Sequence, residues 1–499
     1  MIWKLGLTTA LLLAVQSVQA QAPAVQGKPN VLFLVSDDLR PELGCYGNTI
    51  IKSPNIDRLA RRGMVFNRAY CQQAVCSPSR TSVLTGMRPD TTKVWDLDTH
   101  FRKALPDTVA LPELFRKNGY VSAGLGKIYH GEASTHSGLD DLQSWSDSAD
   151  GKFTPSSEAP SPAKPKRQPK PPMIENGITL TSTDRGQAFR ATDEGPNGGG
   201  EGKLADQDIA ALRGFKTSSK PFFLAVGFHK PHLPFISPKA YWDLYDPAKI
   251  PLAENRFLPK DAPDYALVEK PELWSYSGVP DVSHLPESYA RQLKHGYYAA
   301  VSYMDAQLGR VLDELDRLGL TKNTIVVLWG DHGWKLGEHD RWAKHSNVEN
   351  DVRAPLIISA PRMKAKGKKT DALVEFVDIY PTLADLAGLA LPHKLEGVSA
   401  RPLLDSPKRP WKSAAFSQYP RNERGKKLMG YTMRTDRYRL TRWVNPEDHT
   451  KVDAVELYDH QADPAENTNI ASDPKNASLV AKLTQQFLGG WKEAVPTKP

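Results

Sequence analysis

Cysteine is scarce: Cys45, Cys71 and Cys76 are the only three in 499 residues, and all lie in the first fifth of the chain. So few, so placed, exclude a disulfide framework, and stability has to come from packing. A Cys45–Cys71 bridge is open on count alone; small buried thiols are the expected state. Long apolar runs are scarce too. Beyond the N-terminus none is long enough to cross a bilayer, so no membrane span is expected. Zinc-ligand spacings, an RNP-like aromatic pattern and a heptad-linked basic region are all missing, and nothing points to nucleic acid. One glycosylation sequon occurs, Asn476-Ala477-Ser478, too common a pattern to place the protein.

What is present begins with an export signal. Lys4 supplies a positive start, residues 5–15 an apolar run, and Val18-Gln19-Ala20 a small-residue cleavage site, so residues 1–20 read as a signal peptide. Export with so little cysteine suggests a bacterial periplasmic or secreted protein. A hydrophobic content of 40% is enough for a sizeable core. The formal charge of +8 suggests an acidic partner. Part of that charge, however, is clustered in Lys164, Lys166, Arg167 and Lys170, within a proline-rich stretch over 155–172 that reads as an extended, solvated loop.

Residues 30–36 form a continuous apolar run, as expected of a strand buried on both faces of a parallel sheet, and the run ends in Asp37-Asp38. Residues 56–62 and 111–118 read as helices. Residues 120–125 return as a strand that delivers Lys127 and His130. Over 134–202 the chain is rich in Pro, Gly, Ser and charge, which predicts long irregular loops. Residues 221–228 form another apolar strand, ending in His229-Lys230-Pro231-His232. Apolar residues from Leu293 to Leu315 recur at helical spacing and predict the strongest helix, up to Gly319. Residues 324–330 and 356–359 are strands, the first ending in Asp331-His332-Gly333-Trp334, and 377–387 is a helix. This alternation predicts an α/β fold, an α/β/α sandwich with its functional groups beyond the carboxyl ends of the strands. After the charged stretch 421–427, residues 430–444 and 454–458 read as strands and 479–491 as a helix, forming a smaller C-terminal α+β subdomain.

One stretch organises the rest: Val75-Cys76-Ser77-Pro78-Ser79-Arg80. Ser77 as N-cap and Pro78 at the first helical position predict a short helix over 79–85, closed by Gly86. Cys76 then sits at the helix mouth, where backbone N–H groups and the positive dipole end converge, with Arg80 one turn along. Such a place holds an anion against whatever residue 76 carries, and favours attack on a sulfate or phosphate ester. Asp37, Asp38 and Asp331, with an oxygen on a modified Cys76, suit a hard divalent cation, calcium rather than magnesium. His332 is a softer donor that suits such a shell less well.

Cys-x-Pro-Ser-Arg followed by Thr85-Gly86 resembles the signature of type I sulfatases, which belong to the alkaline-phosphatase-like superfamily. Val35 to Pro41, Gln72 to Cys76, Gly126 to His130, His229 to His232, Asp331 to Lys344 and Ser417 to Arg421 look most like the iduronate-2-sulfatase group. The resemblance implies a catalytic domain over 28–421 with a C-terminal subdomain over 428–499. It implies oxidation of Cys76 to formylglycine by a separate formylglycine-generating enzyme, and Ca2+ held by Asp37, Asp38, Asp331 and residue 76, with His332 added by analogy. Arg80, Lys127, Lys344 and His229 would bind the sulfate, His229 would protonate the leaving oxygen, and His130 would help reform the aldehyde. The implied substrate is a sulfated polysaccharide or oligosaccharide of the 2-O-sulfo-iduronate type. Lys230 or His232 would meet its carboxylate, and Trp334 would be an apolar wall. The 155–172 insert, Arg341 and His345 depart from the group near the presumed substrate rim. Two alternatives remain: a phosphonate or phosphodiester hydrolase of the same superfamily, and a non-catalytic glycan-binding protein.

Overall fold

The computed structural model describes residues 27–146, 173–175, 178–269, 272–423 and 425–496. The expected signal peptide over 1–20 and the proline-rich stretch over 155–172 lie outside them. A seven-stranded mixed sheet forms the centre: β1 (Asn30–Ser36), β2 (Met64–Tyr70), β3 (Val121–Gly126), β4 (Phe222–Phe228), β5 (Thr324–Gly330), β6 (Leu356–Ser359) and β7 (Lys368–Glu375). Their spatial order is β7-β2-β6-β5-β1-β4-β3. Only β6 runs against its neighbours, β5 and β2. The others are parallel, β1 pairing Asn30 with Thr324 on one side and Val31 with Phe223 on the other. Six carboxyl ends therefore finish along one edge.

Helices cover both faces, and β1 shows why. Its Val31, Phe33 and Val35 join one core cluster with Val83, Leu114 and Leu383, while Leu32 and Leu34 join the other with Leu59, Leu204 and Leu308. Alternation along a strand sends successive side chains to opposite faces, and a strand that is apolar at every position has to be covered twice. One face carries α2 (Cys76–Thr85), α3 (Leu111–Lys117) and α6 (Ile379–Ala387). The other carries α1 (Pro54–Arg62), α4 (Gly199–Lys216) and the 31-residue α5 (Glu287–Arg317).

The expected helix at residue 79 starts three residues earlier. Val75, with extended backbone, is the N-cap and no side chain caps the helix. Its first bond runs from Ser79 N–H to Val75 O, 3.2 Å. Pro78 is thus the third helical residue, which costs no hydrogen bond because first-turn N–H groups have no intrahelical acceptor. Gly86 closes α2 with φ 67°, as expected.

At the C-terminus β8 (Ala415–Glu423), β9 (Lys426–Arg434), β10 (Tyr438–Asn445) and β11 (Asp448–Asp459) form an antiparallel sheet. Helix α7 (Ala477–Ala494) packs on it through Leu483, against Met433, Leu440 and Leu457. The single strand expected over 430–444 is two, split where Thr435 and Tyr438 exchange turn hydrogen bonds. The stretch expected to be irregular holds four short strands, Ser137–Leu139, Met173–Glu175, Ile178–Leu180 and Phe189–Thr192, and the start of α4. Cys45, Cys71 and Cys76 are free thiols. Among the described residues no helix is long and apolar enough to cross a membrane.

Candidate active site

The parallel strands deliver their terminal residues to one place. Asp37 and Asp38 follow β1, Lys127 follows β3, His229 follows β4 and Asp331 follows β5, while Cys76 opens α2 just beyond β2. Cys76 Sγ lies 3.3 Å from Asp37 Oδ1 and 3.4 Å from His332 Nε2. Asp37, Cys76, Asp331 and His332 are all buried and offer ligand atoms within 4.8 Å of one another. Asp38 has φ 61°, a conformation that is sparse for side-chain-bearing residues. Its N–H donates to Asp331 Oδ1, 3.0 Å. Asp37 faces Cys76 and Lys127, whereas Asp38 faces Lys344.

Three cations answer the three acids. Arg80 is fully buried. Its Nε donates to Asp331 Oδ2 at 2.9 Å and one terminal nitrogen to the carbonyls of Lys127 and Ile128. The other terminal nitrogen has no hydrogen-bond acceptor and stands 3.4 Å from Asp37 Oδ1. Lys127 Nζ donates to Asp37. Lys344 Nζ donates to Asp38 Oδ1 and Oδ2 at 2.9 and 3.1 Å, and to Glu272 Oε2 at 3.0 Å. Burial opposes ionisation of Asp37, but Lys127, His232 and Arg80 outweigh it and hold the carboxyl well below its ordinary range. For Asp38 the balance is reversed: burial and the like charges of Asp37, Glu272 and Asp331 push it well up despite Lys344. Burial and Asp37 push the Cys76 thiol well up. In this setting burial and the neighbouring acid disfavour the thiolate of an unmodified Cys76, the form that acts as a nucleophile.

This arrangement can bind a sulfate-like anion beside a hard cation. The family model described as Sulfatase matches residues 29–389. The chain belongs to the sulfatase family. It is a sulfuric ester hydrolase, and the model for the C-terminal region of N-sulphoglucosamine sulphohydrolase matches residues 337–492. This sulfatase is 34% identical to iduronate 2-sulfatase of Homo sapiens, over 97% of this chain and 98% of that one. Two solved structures share its alkaline-phosphatase-like fold. One is in complex with its substrate D-glucosamine-2-N,6-O-disulfate (TM-score 0.70, 23% identity, 94% of this chain and 98% of that chain). The other is the phosphonate monoester hydrolase of Agrobacterium radiobacter (TM-score 0.71, 22% identity, 93% and 95%).

The outer residues of the sulfatase site differ in placement. His130 is partly buried, with Nδ1 unpartnered; burial and Lys127 push its imidazole down to about 4. His229 stands at the rim, its side chain 49% exposed and its Nε2 3.6 Å from Glu132 Oε2. Lys230 is turned into its own loop, donating to the carbonyls of His232 (3.1 Å) and Pro234 (2.7 Å). It is thus engaged with its own backbone rather than offered to a sugar. His232 Nε2 lies 3.4 Å from Glu272 Oε1, and burial and Lys344 push it down to about 3. Its Nε2 also lies 3.8 Å from Asp38 Oδ2, so the ring stands among this chain's own acids. Trp334, expected as a wall, is wholly buried, with its ring 5.0 Å beneath Lys344 Nζ. The large indole packs in the core with Phe235, so it supports a lysine instead of facing a ligand. Sequence reasoning missed Glu272 and Glu132, single acids in aperiodic segments with no spacing signal. Tyr297 was read only as core, yet its hydroxyl also donates to Asp38 O at 2.8 Å and fixes that turn.

Proposed function

We propose that this sulfatase is exported and removes the 2-O-sulfate of a uronic acid in a sulfated glycan, using formylglycine at position 76 and calcium. The observation that carries the mechanism is the contact of Cys76, at the first turn of α2, with Asp37 and His332 inside a buried acidic cluster. The uronate preference is supported by the near-full-length similarity to iduronate 2-sulfatase, and not by Lys230.

The donor set fits calcium: the carboxylates of Asp37 and Asp331 lie within 4.8 Å of residue 76 and His332, and Asp38 meets residue 76 in an adjoining group with His232. Asp37, Asp38, Asp331 and residue 76 would hold the ion. The Nε2 of His332 faces residue 76, while its Nδ1 lies 3.0 Å from Gly333 O. Calcium supplies Lewis-acid polarisation of a sulfate oxygen, and formylglycine supplies, as its hydrate, an oxygen nucleophile in place of the inert thiol. The chain's own side chains do the rest. Arg80 presents its unpartnered terminal nitrogen to the anion, and Lys127 and Lys344 neutralise sulfate oxygens as charge builds on them. Burial and Lys127 push His229 down to about 4, but half its ring is in solvent and a bound ester adds negative charge beside it. It then gives its proton to the leaving alcohol oxygen, with Glu132 stabilising the cation. His130, neutral and with a free Nδ1, takes the proton released as sulfate departs. The expected division into a catalytic domain over 28–421 and a C-terminal subdomain over 428–499 cuts β8, which pairs with β9, so the C-terminal unit is taken to begin at Ala415.

The test is the mass of the tryptic peptide containing Cys76, which should lack the thiol, together with turnover of a disaccharide ending in 2-O-sulfated iduronate. Cys76→Ala should abolish turnover with little change in melting temperature. Substantial activity in that variant would remove the mechanism. Faster hydrolysis of an aryl phosphodiester than of an aryl sulfate would favour the phosphonate-hydrolase reading.

A further inference from the structure

A uronate 2-sulfate carries its two acidic groups on opposite sides of one sugar ring, so its site needs a cation standing apart from those that take the sulfate. Lys230 is held by its own loop, and His232 stands between Glu272 and Asp38. The stretch over 134–202 supplies another cation, Arg185. Its backbone lies in a fixed turn: Thr183 N–H donates to Ser277 Oγ and Thr183 Oγ1 to Ser275 O, both at 2.8 Å, and Ser277 N–H donates to Gly186 O at 2.7 Å. The Arg185 guanidinium lies over the ring of Tyr276, 5.7 Å from its centroid, and donates through Nη1 to Ser275 Oγ at 3.1 Å. The same nitrogen stands 3.8 Å from Glu272 Oε1, while Glu272 Oε2 accepts from Lys344 Nζ at 3.0 Å.

Ion pairs therefore run from Asp38 through Lys344 and Glu272 to Arg185, and side-chain exposure rises along that line from 0 through 3 and 16 to 58%. Arg185 thus stands at the rim of the pocket whose floor is Asp38. Lys344 already answers the charge of Glu272 at the shorter distance, so the Arg185 contact is the loose one, and an exposed pair of this kind is given up at small cost. A guanidinium offers a planar fork that matches a carboxylate. The Glu272 carboxylate between Lys344 and Arg185 keeps the two cations apart, as the ring keeps apart the two acids of the sugar.

We propose that Arg185 binds the carboxylate of the sugar whose sulfate meets Lys344, and so sets the preference for a 2-O-sulfated uronic acid over a neutral sulfated sugar. This rests on the uronate reading above. The experiment compares a disaccharide ending in 2-O-sulfated iduronate, the same disaccharide with that carboxylate reduced to the alcohol, and 4-nitrophenyl sulfate. Arg185→Ala should lower kcat/KM on the uronate by about tenfold or more, mostly through KM, because a charge-assisted contact is lost. The preference for the uronate over each of the other two substrates should shrink by the same factor. Arg185→Lys keeps the charge without the fork and should fall between parent and alanine variant. If the parent prefers the uronate and Arg185→Ala keeps that preference, or loses all three substrates equally, another group meets the carboxylate and the proposal falls while the uronate reading stands. If the parent hydrolyses the carboxyl-reduced disaccharide as well as the uronate, the uronate reading itself falls and takes the proposal with it.

Discussion

Replacing Arg439 by methionine should cost this protein about 3–5 kcal/mol, although the side chain lies far from the reacting groups in sequence and touches none of them. Arg439 is 1% exposed, on β10, and its guanidinium joins Glu466 Oε1 and Glu349 Oε2, both at 2.5 Å. Arg434 adds a bond to Glu349 at 3.2 Å, Tyr70 another at 3.0 Å, and His460 reaches Glu466 at 2.8 Å. Methionine fills the space but leaves two carboxylates short of their main cation. Burial would raise Glu349, but Arg439 and Arg434 outweigh it and hold it at about 2 against an ordinary 4.5. A depression of that size corresponds to about 3 kcal/mol. Because the folded value is depressed, this stability is present above pH 4.5 and is lost as pH falls toward 2. In Arg439→Met the acids protonate more readily, so the gap between variant and parent should narrow from pH 7 to pH 3. Unfolding entropy of about 2 cal/mol/K per residue over a chain of this length makes each kcal/mol worth about 1 °C, so thermal melts should differ by about 3–5 °C at pH 7. A difference under 1 °C, or a gap that widens on acidification, would refute the reasoning. Adding Glu466→Gln to Arg439→Met should recover part of the loss.

Two further outcomes follow from the site. Exhaustive chelation should abolish turnover and added calcium restore it, and Asp331→Asn should weaken calcium affinity and activity together by at least tenfold; full activity in a preparation shown metal-free by elemental analysis contradicts the donor set. Gly227→Ala, at the end of β4, would push a methyl into the carbonyl of Lys127, so kcat should fall more than tenfold as Lys127 is displaced. Unchanged kinetics would mean that the β3 and β4 ends tolerate separation.

The sequence was most legible where burial is total. β1, β5 and β6 have the bounds read from their apolar runs, because strands covered on both faces carry few polar residues to blur them. β2 and β7 were missed, since Asn67 and Arg68 interrupt the apolar run of one and Lys368, Lys369 and Asp371 that of the other, the edge strand of the sheet. β8 was hidden by Pro420 and Arg421, which sit on the outer strand of the small sheet, where a missing N–H costs little. In the site, Asp37, Asp38, Lys127 and Asp331 could be located because each follows a strand end, and Arg80 because it lies one turn into α2. Lys230 could not be, because charge density at a strand end does not reveal whether an ammonium faces solvent, substrate or its own backbone. Trp334 was misjudged for a related reason: motif proximity fixes where the Cα lies, while the size of an indole decides which way it packs.

All ten residues of α2 are buried, and Cys76 itself is 2% exposed. The helix therefore seals its own first residue: once β2 and the helices of its face have packed, no macromolecule can close around the Cys76 thiol. If position 76 is oxidised as proposed above, the oxidising enzyme would have to meet an extended segment before folding, and molecules that fold first would keep the thiol. On the proposed mechanism the active fraction of a preparation would report a race between folding and oxidation, and slowing folding at constant oxidising capacity should raise specific activity without changing the yield of folded protein.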